Sequence, residues 1–464
     1  MGFSHTIFKE DFVMKKLLAL AIVAVLALTL ATAVAEEITL NVWSFTNEFQ
    51  GMIEKYYAPS HPEIKFNFTI YPTDGGEYTS HVDTLMAADA TSADAPDIFT
   101  LEAAFVKKYT NSDWTADLTT IGFTEEDFAV ALPAMREIGQ DTRTGVQKGL
   151  SWQSTPGSLM YRADLAEKYL GVTTPEEMAE KVADWDTFLE TAEELKEASN
   201  GACKMFVSPG DVYNAYKYNR DNGWVVDNKL VIDDALLDEL DLLKTSYEED
   251  LDAKGAAWTE TWFAGMNGTN EVMCYLLPTW GLHYTLKPNC VPGADGSMSD
   301  DELKALSDAN NGTFGLWRMT NPPVGYSWGG TWVGVNAAKA AAADDAKKAA
   351  IKDVINFFTL DDDFLYTYAK DSGDFVGSKA VVDKIVAEGG TPNPFLGGQD
   401  HYGMFAEAAV IASGKTWTEY DETMDSLWND EVTLPYIRGE KSLDDALAGF
   451  KAAVSARFAG IEVE

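Results

Sequence analysis

Near its start the chain alternates between two periodicities, and this constrains the fold more than any other feature. Residues 38–45 (ITLNVWSF), 64–71 (IKFNFTIY) and 97–101 (DIFTL) are runs of strand formers, and 47–58 and 77–89 between them read as helices. Strand and helix joined by few residues predict an α/β protein with a parallel sheet under helices. Thr174-Pro175-Glu176-Glu177 then opens a helix with an N-cap, Pro in the first turn and acids beside it, and Gly201 reads as its stop. Residues 233–254 are amphipathic and acidic, 337–359 predict another long helix, and Ser442-x-x-Asp445 caps a last helix running to about Phe458. The Gly/Pro-rich stretches 321–334 and 391–398 read as crossings or loops, and there is no internal repeat and no long linker.

Residues 1–35 predict an export signal rather than structure. Met14-Lys15-Lys16 gives a positive start, 17–30 is apolar apart from one Thr, and Ala33-Val34-Ala35 is a small-residue cleavage pattern. Cleavage after Ala35 leaves a protein free in a periplasm or outside the cell, since no Cys follows to carry a lipid. The start is Met1 or Met14. No later run approaches the ~20 apolar residues of a membrane span, so no membrane insertion is expected. Lys and Arg number 35 against 74 Asp and Glu, a net charge of −39. Such a chain is repelled by phosphate backbones, which sets nucleic acid aside as a partner. Its 464 residues allow two or three domains. Cys203, Cys274 and Cys290 exclude a full disulfide framework; a Cys274–Cys290 bridge and buried free thiols both stay open.

Catalytic signatures are hard to find. His61, His81, His283 and His401 fall in no zinc-type spacing, so neither a metal nor a cofactor is expected. There is no G-x-S-x-G elbow. Gly414-Lys415-Thr416 ends like a phosphate loop, but Ala409 stands where its first Gly belongs. Asp361-Asp362-Asp363 lacks calcium-loop spacing and reads as a solvated helix start. No pair of acids is singled out for glycoside hydrolysis, so a secreted carbohydrate-active hydrolase is kept only as an alternative. What stands out is Trp at strand ends and in Gly-rich loops: Trp43, Trp152, Trp280, and Trp328 with Trp332 around a double glycine. Flat rings against the C–H faces of a sugar, with Asn, Asp, Glu and Gln for its hydroxyls, are the expected lining of a carbohydrate site. Taken singly each Trp reads as packing; as a set, at least two are expected at a ligand.

The order of segments resembles the extracellular solute-binding proteins that feed ABC sugar importers, the group containing the maltose-binding protein. The resemblance rests on Leu40-Asn41-Val42-Trp43, Ala95-Pro96-Asp97-Ile98, Pro156-Gly157-Ser158-Leu159-Met160-Tyr161, Asp184-Trp185-Asp186, Gly329-Gly330-Thr331-Trp332 and Pro435-Tyr436-Ile437-Arg438-Gly439, in that order over nearly the whole mature chain. It implies a two-lobed periplasmic-binding-protein fold with a ligand cleft at a hinge. Lobe one is expected at 36–152 with 330–372, and lobe two at 156–322 with 378–464. A non-enzymatic monomer is implied that binds a sugar and delivers it to membrane permease subunits; a same-fold binder of another solute is the further alternative. Carried over residue by residue, the resemblance implies site roles for Asn47, Glu48, Glu102, Trp152, Thr155, Asp211, Tyr213 and Trp280, and for Asp400 in a loop facing the cleft. Glu48 also reads as a helix-start acid, Glu102 as a solvated loop acid and Asp211 as a turn stabiliser. Around Glu102 the maltose binder's pattern is not repeated, so maltodextrin is not implied and the sugar stays open.

Overall fold

The computed structural model describes residues 37–409 and 416–463. The expected signal segment 1–35 and Gly414-Lys415 lie outside the described residues.

The first three predicted strands form as β1 (Ile38–Ser44), β2 (Ile64–Ile70) and β3 (Ile98–Glu102). β1 pairs parallel with β2 from Ile38↔Ile64 to Ser44↔Ile70, and parallel with β3 at Val42↔Ile98. Between β1 and β2 the helix Glu48–Met52 continues as a widened turn through Tyr57; between β2 and β3 lies the helix Glu77–Asp89. The rest of the sheet is not parallel. β4 (Gly149–Ser151) and β8 (Thr331–Val335) complete the order β2-β1-β3-β8-β4, and β8 runs antiparallel to both neighbours. Its chain arrives from the other half of the molecule at Gly330, beside the end of β3, so it must run back along that strand. All five β8 residues are buried, so the end of the 321–334 stretch is a core strand rather than a loop.

A second sheet of order β6-β5-β7 joins β5 (Gly157–Arg162), β6 (Cys274–Pro278) and β7 (Trp317–Thr320), and every pairing in it is antiparallel. The parallel expectation therefore holds for three strands of the first sheet only. β5 and β6 are buried along their whole length. Helices cover both sheets: Asp345–Thr359 packs on β1 and β4, Pro209–Lys217 on β6, and His401–Ala409 on β5 and β7. Three segments cross between the sheets and are bonded to one another. Ser154 N donates to Phe375 O at 2.8 Å, Gly377 N to Trp152 O at 2.8 Å, and Trp328 N to Thr155 O at 3.1 Å.

Two predicted helices are each split in two. The one opened by Thr174 ends at Lys181, and Trp185–Ser199 starts afresh because Asp184 and Thr187 form their own capping box. In 337–359, Asn336 caps Ala337–Ala342, Ala343 turns extended, and the Asp344 carboxylate accepts from Lys347 N to start Asp345–Thr359. The acidic helix 233–254 stops at Glu248, and the last helix runs Leu443–Arg457 from its Ser442 cap. Asp361 caps Asp362–Ser372. Cys203, Cys274 and Cys290 are all free and buried, so the bridge left open by the sequence is not made.

Candidate functional site

The ends of β1 and β3, the crossing segments and the second lobe enclose a cavity of about 600 Å³. This is where open α/β sheets present ligand sites, beyond the carboxyl ends of their strands. Past β1 come Phe45, Thr46, Asn47 and Glu48, and β3 ends on Glu102. Trp258, Trp280 and Tyr284, from the segments around β6, and Trp328, from a crossing segment, face them.

Trp280 lies two residues past the end of β6. Its indole N–H donates to Trp328 O at 2.8 Å, and the Trp328 ring meets it edge-on at 5.1 Å and 72°. Gly329 permits this: its φ is +75°, and a Cβ there would lie 2.6 Å from Trp280 Nε1. Trp258 lies parallel to Trp280, with ring centroids 6.0 Å apart and 8° between planes, and is 57% exposed. Its φ of +66° is one that a bulky side chain rarely adopts. Tyr284, one helical turn beyond Trp280, is 54% exposed.

The opposite wall is acidic. Glu48 accepts from Tyr368 Oη at 3.1 Å; burial raises its pKa, against the bonds from Tyr368 and Tyr284. Glu102 Oε2 accepts from Ala104 N at 2.7 Å, and burial again raises its pKa, opposed by that N–H and by Lys217. Below Glu48, Asp374 is buried and pushed well up by desolvation and by Glu48 itself. Asp74 adds a carboxylate and Gln153 an amide to the wall. No group of His, Cys, Asp and Glu among the described residues could hold a metal ion, and no described helix is long and apolar enough to cross a membrane.

Of the residues expected at a ligand, the cavity collects Asn47, Glu48, Glu102, Trp280 and Trp328. The others are placed elsewhere. Trp43 alternates onto a face of the sheet, 6% exposed, with its ring 5.5 Å from Tyr71. Trp152 is buried and stacked on Phe49 at 5.4 Å. Trp332 is fully buried, donating from its indole to Met135 O at 2.9 Å. Thr155 is buried behind the double glycine and donates to Gly329 O at 2.8 Å. Asp211 is buried among apolar groups, accepting from the Trp262 indole at 2.9 Å, and burial pushes its pKa up to about 7. Tyr213 donates to Asp425 at 2.7 Å, outside the cavity. Asp400 holds the start of the helix His401–Ala409, accepting from Tyr402 N and Gly403 N at 3.1 Å each. Sequence reasoning missed Trp258, Tyr284, Asp74 and Gln153. Only Tyr284 carried a signal, its i+4 spacing from Trp280.

No protein-family model matches the chain, and no match is found among curated protein sequences. Among solved structures it is similar to an extracellular solute-binding protein of family 1, at 19% identity and a TM-score of 0.71 over 90% of this chain and 99% of that one. A binding protein associated with an ABC transporter of B. animalis subsp. lactis, solved with β-1,6-galactobiose, aligns at 18% identity and TM-score 0.65, covering 91% and 98%. The galacto-N-biose/lacto-N-biose I-binding protein of an ABC transporter from Bifidobacterium longum, solved with lacto-N-biose, aligns at 16% and 0.66, covering 92% and 99%. The chain has the two-lobed fold of these periplasmic-type binding proteins.

Proposed function

We propose that this protein binds a carbohydrate in the cavity between its lobes, outside the cytoplasmic membrane, and delivers it unchanged to the permease subunits of an ABC importer. The observation that carries this is the aromatic wall of Trp258, Trp280, Trp328 and Tyr284 facing the polar side chains of Asn47, Glu48 and Glu102 across a cavity of about 600 Å³. Exposed rings cover the C–H faces of a sugar while carboxylates and amides take its hydroxyls. Proteins of the same fold solved with galactobiose and lacto-N-biose support the substrate class.

The lobes are taken as 36–152 with 330–372 and 156–322 with 378–464; the division of strands between two sheets supports this. The mature protein is taken to begin at Glu36 in a periplasm or outside the cell and to act as a monomer, without catalysis. A thermal-shift screen of mono- and oligosaccharides tests the reading, since a ligand at 100 times its Kd adds about 2.7 kcal/mol of stability. A sugar that raises Tm and is recovered intact after incubation is the expected result. No response to any sugar overturns the sugar reading, and turnover of a bound sugar overturns its delivery unchanged.

A further inference from the structure

The cavity wall has a one-sided charge. Among the described residues lining it there is no Lys, Arg or His, while Glu48, Asp74 and Glu102 supply three carboxylates. None of the three is ion-paired with a described residue. Lys217, whose charge reaches Glu102, is itself bound to Asp425 at 3.1 Å. The facing wall is three indoles and a phenol, whose ring faces are electron-rich and attract cations. Sugar hydroxyls can donate to these carboxylates but bring no counter-charge, and the partly buried Glu48 and Glu102 are costly to keep ionised without one.

Building on the sugar-binding reading above, we propose that the solute is cationic: a saccharide bearing a protonated amine, held between the Trp258–Trp280 wall and the Glu48 and Glu102 carboxylates. The amine supplies the counter-charge that the protein withholds, and the rings take the adjoining apolar face. The upward pKa shifts of Glu48 and Glu102 agree with this, because both come chiefly from desolvation, which a cation beside them offsets.

The test compares disaccharides alike in ring and linkage: the free-amine glucosamine disaccharide, its fully N-acetylated form and cellobiose. Binding to the full chain is measured by titration calorimetry at a pH where the amine is protonated. The amine form should bind at least tenfold tighter than either neutral partner, and added salt should weaken it selectively. Glu102→Gln, which keeps an acceptor for Ala104 N, should remove most of that preference while melting like the wild type. Glu48→Gln is the second variant, should the first disturb the fold. An amine form that binds no tighter than its neutral partners overturns the charge assignment, while binding of the neutral sugars leaves the sugar reading standing. A linear polyamine binding more tightly than every sugar overturns the sugar reading and keeps the charge assignment.

Discussion

At the scale of single residues, two tryptophans that look alike in the sequence have opposite environments. Trp280 stands in the cavity wall, whereas Trp332 is fully buried with its indole bonded to Met135 O. Trp332→Ala should cost about 3–5 kcal/mol of folding stability. Trp280→Ala should leave the melting of the free protein nearly unchanged and weaken sugar binding by about 1.5–3 kcal/mol, the value of burying one large apolar face. Paired denaturation and calorimetry on the two variants separates the effects. Asp211 gives a second prediction. Its pKa, about 7 in the fold, lies above the ordinary carboxylate value of 3.8, so the folded protein holds a proton that the unfolded chain releases. Stability from this group is therefore lost as pH rises between those values. Asp211→Asn, which can still accept from the Trp262 indole, should gain on the wild type across that window by about 1.4 kcal/mol per pH unit, read from urea midpoints.

Secondary-structure elements were legible where the signal was local and hidden where it was a competition. The helix Glu77–Asp89 and strands β1 to β3 follow their sequence periods closely. The split of 175–201 was written in Asp184 and Thr187, but a continuous helical pattern masks a second cap until its bonds are seen. Asp184→Ala should cost about 1 kcal/mol, measured by thermal melting. β8 was unreadable for another reason. Its partners β3 and β4 lie far away in sequence, so nothing local marks Thr331–Val335 as a central strand. The site follows the same division. Asn47 and Glu48 stand at a strand end that the sequence marks, whereas Trp258 is brought to Trp280 only by tertiary folding. Trp43 and Trp332 misled because strand alternation decides which face a ring takes, and only the register settles that.

At the scale of the whole molecule, the helix after β2 and the region after β3 also touch residues 419–422, away from the crossings. Thr79 donates to Glu422 at 3.0 Å, Lys108 lies 3.7 Å from Glu422, and Asn111 donates to Glu419 at 2.8 Å. One partly exposed ion pair and two hydrogen bonds are individually weak, on the order of 1 kcal/mol each, so they tip a balance between open and closed cleft without locking it. Glu419→Ala combined with Glu422→Ala should enlarge the radius of gyration of the free protein in small-angle scattering, and bound sugar should shrink it again, since both walls gain contacts only when they meet around the solute. The parallel setting of Trp258 and Trp280, 6.0 Å apart, reaches beyond recognition. Two chromophores that close share their excitations, so the pair should imprint a signed couplet on the circular dichroism of the indole bands. Any solute settling against those rings would alter it, and the protein would thereby report its own occupancy without a label.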